Sequence, residues 1–167
     1  KAAGIEGTAI IGHDKEKELV DIIGKETVER AKAFINDVSV LKEGIISGLF
    51  GVNSMHDVTE GGILGAVWEV TQASGTGAVI YKSKVPVKDE TRKICKVYGI
   101  DPLKLISSGC MIITCQNGPA LVKELGENGI EAAVIGQITA DSDRKLVCED
   151  NQVIDICEPG SDELYKV

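Results

Sequence analysis

Short apolar runs closed off by glycine alternate along this chain with stretches whose apolar residues recur every three or four positions. Gly77–Lys82 (GAVIYK) and Ala132–Ile138 have the length and character of strands, and Cys110–Cys115 (CMIITC) that of a buried strand. Leu19, Ile22, Ile23, Val28, Ala31, Phe34 and Ile35 follow a helical period, which Gly24 divides into two helices. The same period predicts helices over Ser39–Leu49, from Ile63 through Thr71 to a stop at Gly75, over Pro86–Tyr98 and over Ala120–Glu127. Gly7–Gly12 (GTAIIG) reads as a further strand, His13-Asp14 as the cap of the next helix, and Leu103–Ile106 as a single helical turn. Lys145–Glu149 and Val153–Ile156 read as a hairpin around Asp150-Asn151, and the chain after Pro159 as a polar tail. This alternation calls for one α/β (α+β) domain, a mixed sheet covered by helices.

A length of 167 residues suits one domain, and 43% hydrophobic content suits an independent core. Only 4% of residues are aromatic, so aliphatic side chains must fill that core. The net charge of −8 argues against a nucleic-acid duplex as partner. Residues 82–104 stand apart, with seven Lys/Arg against three acids. No apolar run reaches the ~18–20 residues that cross a bilayer, and no signal-peptide pattern opens the chain. Five cysteines form no CxxC pair, which fits reduced thiols in the cytoplasm. Cys110 and Cys115 are five apart in one predicted strand, so they face opposite sides and cannot share a metal. No metal-ligand set is evident.

The run that can carry chemistry is Met55-His56-Asp57-Val58-Thr59-Glu60-Gly61-Gly62, a strand end and turn before an apolar-faced helix. Thr59 is placed to cap that helix. Gly61 and Gly62 let a ligand approach the backbone, and first-turn amides with the helix dipole favour an anion such as phosphate. His56 and Asp57 stand at the strand's C-terminal end, where α/β proteins place ligand groups. Glu60 would repel a phosphate unless a metal bridges them. The same run also reads as a tight turn with a capped helix and no ligand. A second glycine turn, Ser107-Ser108-Gly109, enters the Cys110 strand, with Lys104 and Arg92 as its nearest cations in the chain. No P-loop, G-x-G-x-x-G or G-x-S-x-G motif is present.

His56-Asp57-Val58-Thr59-Glu60-Gly61-Gly62-Ile63-Leu64-Gly65 resembles the C-terminal domain of the AIR (aminoimidazole ribonucleotide) synthetase superfamily. So do Gly4-Ile5-Glu6-Gly7-Thr8-Ala9, the Gly99–Leu103 run leading to Ser108-Gly109, and Asp162-Glu163-Leu164-Tyr165. The overall pattern is most similar to HypE-like hydrogenase maturation proteins. The resemblance implies a two-domain ATP-dependent enzyme acting on a small-molecule substrate with a carbamoyl or amide group, a homodimer when full length. It implies a partly ferredoxin-like fold here, and an absent N-terminal domain that supplies most contacts to ATP and magnesium. An opening at Lys1 that reads like mid-sequence agrees with that expectation. Carried over by position, Asp57 and His56 are the catalytic candidates. Thr59, Glu60, Gly61, Gly62, Ser108 and Gly109 are the phosphate or nucleotide candidates, with no metal ligand in this chain.

HypE enzymes more often carry a base at the position of Glu60 and end in a cysteine. This chain has an acid there, as formylglycinamidine ribonucleotide synthetase does, and ends Leu164-Tyr165-Lys166-Val167. The resemblance therefore implies a HypE-like relative, inactive as this piece alone. A purine-pathway domain is the alternative. A non-catalytic module docking an acidic protein on residues 82–104 is the alternative from another class.

Overall fold

The computed structural model describes residues 1–167. Four helices come first: α1 (Ile5–Asp14), α2 (Glu16–Ile23), α3 (Lys25–Ala33) and α4 (Leu41–Phe50). Then come β1 (Ser54–Asp57), α5 (Gly62–Ser74), β2 (Gly77–Tyr81), α6 (Asp89–Tyr98), β3 (Met111–Thr114), α7 (Gly118–Glu127) and β4 (Gly136–Thr139). The hairpin β5 (Arg144–Val147) and β6 (Val153–Asp155) precedes a closing 3-10 turn, Glu163–Lys166.

Two strand–helix–strand units, β1–α5–β2 and β3–α7–β4, pair across each other. β1 runs antiparallel to β3, with Asp57 opposite Met111, and β2 antiparallel to β4. The β–α–β repeat is the expected ferredoxin-like element. The expected mixed sheet is the four-stranded β4-β2-β5-β6, in which β2 and β5 run parallel, and β1 pairs with β3 in a second, two-stranded sheet. The α/β class and the β5–β6 hairpin agree with the sequence reading, and Asn151 takes the left-handed conformation (φ 64°) that such a turn asks for.

Several expectations are corrected. Gly7–Gly12 lies inside α1, where its glycines act as contact surface. A Cβ on Gly7 would stand 2.5 Å from Leu105 Cδ1, and one on Gly12 3.3 Å from Lys32 Cγ. His13 and Asp14 consequently end a helix instead of starting one. Val87 bridges to Ala3 and Lys88 is extended, so α6 begins at Asp89 and not at Pro86. Asp101-Pro102 does open a turn, closed by the Lys104 N–H donating to the Asp101 carbonyl at 3.0 Å, but no helix continues through Ile106. The strand read over Ala132–Ile138 shrinks to β4, and β3 is half-buried.

One core lies under α5 and β2, around Val58, Ile63, Val67, Ala78, Ile80 and Leu146. A second joins α1, α2, α3 and α6 through Ile11, Leu19, Val28, Ile94 and Leu105. Arg30 Nε, 2.6 Å from Glu90 Oε1, ties α3 to α6. No helix is long and apolar enough to cross a membrane.

Burial pushes the Cys95 thiol up to about 12 and the Cys110 thiol up to about 11, from an ordinary 9.0. Cys110 Sγ also donates to the Ala2 carbonyl at 2.7 Å. Thiols held protonated in the fold support it fully below pH 9 and progressively less as pH rises towards those values. A thiol reagent at pH 8 should label exposed Cys157 first and half-buried Cys115 and Cys148 more slowly. Cys95 and Cys110 should react only on unfolding. Prompt labelling of all five would contradict the packing.

Candidate functional site

The glycine-rich turn is set by what comes before it. Val58 is fully buried, and its N–H donates to the Cys110 carbonyl at 3.0 Å, which fixes where β1 ends. Gly61 (φ 79°) and Gly62 (φ 60°) then turn the chain into α5. Both angles lie in the left-handed region that glycine enters without steric cost. The N-cap position falls on Gly61, not Thr59, and no side chain caps this helix at that position. The Thr59 carbonyl instead accepts the Gly62 N–H at 3.1 Å.

The anion-holding corner read from the sequence exists, and the chain fills it with its own carboxylate. Asp162 is 2% exposed. Its Oδ2 accepts the Gly61 N–H at 2.7 Å, and its Oδ1 accepts Ile106 N–H at 3.2 Å and Leu164 N–H at 2.8 Å. Pro159 covers the same turn, 3.0 Å from where a Cβ on Gly61 would stand. The second glycine turn repeats the device, since Ser108 N–H donates to Glu6 Oε2 at 2.9 Å. Ser107 Oγ donates to the Leu105 carbonyl and accepts the Gly4 N–H. Gly109 is buried, and its carbonyl accepts from Lys1 Nζ. In this structure the amides of Gly61, Gly62 and Ser108 are committed within the chain, so the bare-amide cradle expected from the sequence is corrected to a pair of carboxylate clasps. Asp162 brings the two turns together, as it bonds both Gly61 and Ile106.

The side chains of the turn remain open. Asp57, Thr59 and Glu60 are exposed. Glu60 Oε1 accepts from the Tyr165 hydroxyl at 3.0 Å, and that hydrogen bond, with the carboxylate charge behind it, pushes the phenol above its ordinary value. His56 faces elsewhere. Its Nε2 lies 2.7 Å from Glu69 Oε2 on α5, and its Nδ1 3.7 Å from Asp57 Oδ1. His56 and Glu69 line a cleft of about 1320 Å³ between the two strand–helix–strand units, floored by Ile63, Val67, Ile80 and Leu121. The residues of the two glycine turns do not line it, save Cys110 at its edge. The sequence-predicted residues thus divide between a polar turn and an apolar cleft. Lys104 and Arg92 are exposed.

Sequence reasoning missed Asp162, Glu6 and Glu69 as partners of these residues. The only trace of the first two was that Gly4–Ala9 and Asp162–Tyr165 stood out as segments. No group of three or more His, Cys, Asp or Glu converges as a metal site.

Comparison with known proteins follows the fold. E. coli HypE matches with a TM-score of 0.77 at 24% identity, over 99% of this chain and 50% of that one. A HypE crystallised in complex with ATP matches with a TM-score of 0.67 at 19% identity, over 93% of this chain and 48% of that one. At these identities the likeness is one of fold. Among curated sequences, a Methanocaldococcus jannaschii protein named for hydrogenase expression/formation is 30% identical over 146 residues, 80% of this chain and 43% of its own length. Carbamoyl dehydratase HypE of Rhodobacter capsulatus is 28% identical over 105 residues, 60% of this chain and 31% of its length. The chain spans less than half the length of these relatives. Residues 3–149 match the model of the AIR synthase related protein, C-terminal domain, and the chain belongs to that family.

Proposed function

We propose that this chain serves as the C-terminal domain of a HypE-like, ATP-dependent maturation enzyme. In this reading its glycine-rich turn, apart from the apolar cleft, forms one wall of a nucleotide and substrate site shared with an N-terminal domain, through the side chains of Asp57, Thr59 and Glu60. The observation that carries the reading is the clasp. With the Gly61 amide held by Asp162 at 2.7 Å, the groups this turn offers to solvent are two carboxylates and a hydroxyl on a rigid support. Rigid placement of polar groups is what a reacting centre requires. His56, oriented by Glu69, is the polar contact on the cleft side.

The residues present do not by themselves fit ATP or magnesium. The amides are committed, carboxylates face outward, and no metal set converges. Triphosphate and metal are therefore assigned to an N-terminal domain of the longer protein, which is also assigned the homodimer. The substrate is a small molecule with a carbamoyl or amide group. Glu60 favours a second reading, an amide-bearing nucleotide as in purine synthesis. Assaying the longer protein for ATP hydrolysis with each substrate class separates the two.

NMR titration with magnesium–ATP tests the main reading. The 167-residue chain alone should show no shift at Gly61 or Gly62 and no turnover. The longer protein should show shifts at Thr59 and Glu60, and Asp57→Asn should lower its turnover at least ~100-fold, the lower end of the range for a positioned polar group. An undisturbed turn in the longer protein, with full activity in Asp57→Asn, would refute the proposal.

A further inference from the structure

Tyr165 is 69% exposed, yet its hydroxyl is committed within the chain. It donates to Glu60 Oε1 at 3.0 Å, across 105 residues of sequence. One carboxylate holds the backbone on both sides of this bond. Asp162 Oδ2 accepts the N–H of Gly61, the residue after Glu60. Asp162 Oδ1 accepts the N–H of Leu164, the residue before Tyr165. The closing 3-10 turn is fastened elsewhere too. Leu164 and Val167 pack against the second core, and buried Glu163 accepts from Lys166 Nζ at 2.7 Å. Tyr165 is thereby left outside, beside the glycine-rich turn.

We propose that Tyr165 is a positioning residue, which holds the Glu60 carboxylate in one orientation within the nucleotide and substrate site. The proposal rests on the reading of this turn given above and adds a residue to it. An exposed glutamate has several rotatable bonds, and it must give up that freedom to meet a ligand. Tethering Oε1 removes much of the freedom in advance. It leaves Oε2, which takes no hydrogen bond within the chain, as the oxygen for a ligand. The chemistry of the tether matters. A lysine in the same place would cancel the Glu60 charge, whereas a phenol donates a hydrogen bond and adds no charge. The contact works in both directions, since the Glu60 charge disfavours ionisation of the phenol and so keeps Tyr165 a donor.

The contact is tested in the 167-residue chain. In Glu60→Gln the Tyr165 phenol, followed by the NMR signal of its ζ carbon, should titrate at a lower pH than in the parent. The positioning role is tested in the longer protein, as hydrolysis of magnesium–ATP. Tyr165→Phe keeps the ring and should leave urea unfolding unchanged while lowering turnover about 5-fold, the scale of one hydrogen bond at an exposed position. Glu60→Gln should cost at least as much. Adding Tyr165→Phe to Glu60→Gln should then cost less than a further ~2-fold, because no charged oxygen is left to place. Effects that multiply independently, full turnover in Tyr165→Phe, or a phenol that ignores Glu60→Gln would each overturn the proposal. If Asp57→Asn is impaired, such a result removes Tyr165 alone. If Asp57→Asn is fully active, the reading of the turn has failed with it.

Discussion

Asp162→Ala should lower the stability of the fold by about 3–4 kcal/mol, the loss expected when a buried carboxylate leaves three backbone amides without their acceptor. For a domain of this size that corresponds to a fall in Tm of roughly 6–16 °C. The cost is high because the group is buried and bonds two segments distant in sequence, the turn at Gly61 and the backbone at Ile106. Water cannot take its place in so enclosed a corner. Asp162→Asn keeps the shape and one acceptor oxygen but turns an amide NH₂ towards a backbone N–H, so it should lose nearly as much. Urea unfolding of the three proteins decides the matter. An alanine variant within ~1 kcal/mol of the parent would show that the clasp is incidental.

Gly62→Ala should be worse still, at least ~4 kcal/mol, and should prevent folding if the parent is marginal. Gly62 has φ 60°, and a Cβ there would stand 2.6 Å from the Leu103 carbonyl oxygen and 2.8 Å from that of Leu105. Both are backbone atoms fixed by the core, so no rotamer change relieves the clash. Gly75 supplies the control. It has φ 66° at the other end of α5 with nothing within 4 Å. Gly75→Ala should therefore cost only the left-handed strain, about 1–2 kcal/mol. The difference between these variants separates steric necessity from conformational preference. Equal costs would mean that Leu103 and Leu105 move aside, and that the turn is looser than its contacts imply.

What could be read in the sequence is what neighbours decide. The helix from Gly62 to Ser74 shows in the spacing of Ile63, Leu64, Val67 and Thr71 and in its stop at Gly75. The closing hairpin shows in Asp150-Asn151. What could not be read depends on partners far along the chain. GTAIIG suits a strand as well as a helix, and Leu105 and Lys32, packed against its glycines, decide for the helix. The turn was legible as a place that holds an anion, since amides and dipole are local properties. The anion's identity was not, because Asp162 sits in a polar tail segment that its immediate neighbours describe as solvated. His56 was legible as polar at a strand end. Its turn towards Glu69 and the cleft depends on how β1 lies along α5.

Asp162 follows Gly61 by 101 residues, so the turn spends part of the protein's synthesis without its acceptor. At ribosomal rates of about 5–20 residues per second, that interval lasts roughly 5–20 s. During it a nascent chain can build the first helices, while the mouth of α5 stays open to water and to chaperones. The whole domain then locks late, when one small acidic segment emerges and joins two distant loops in a single step.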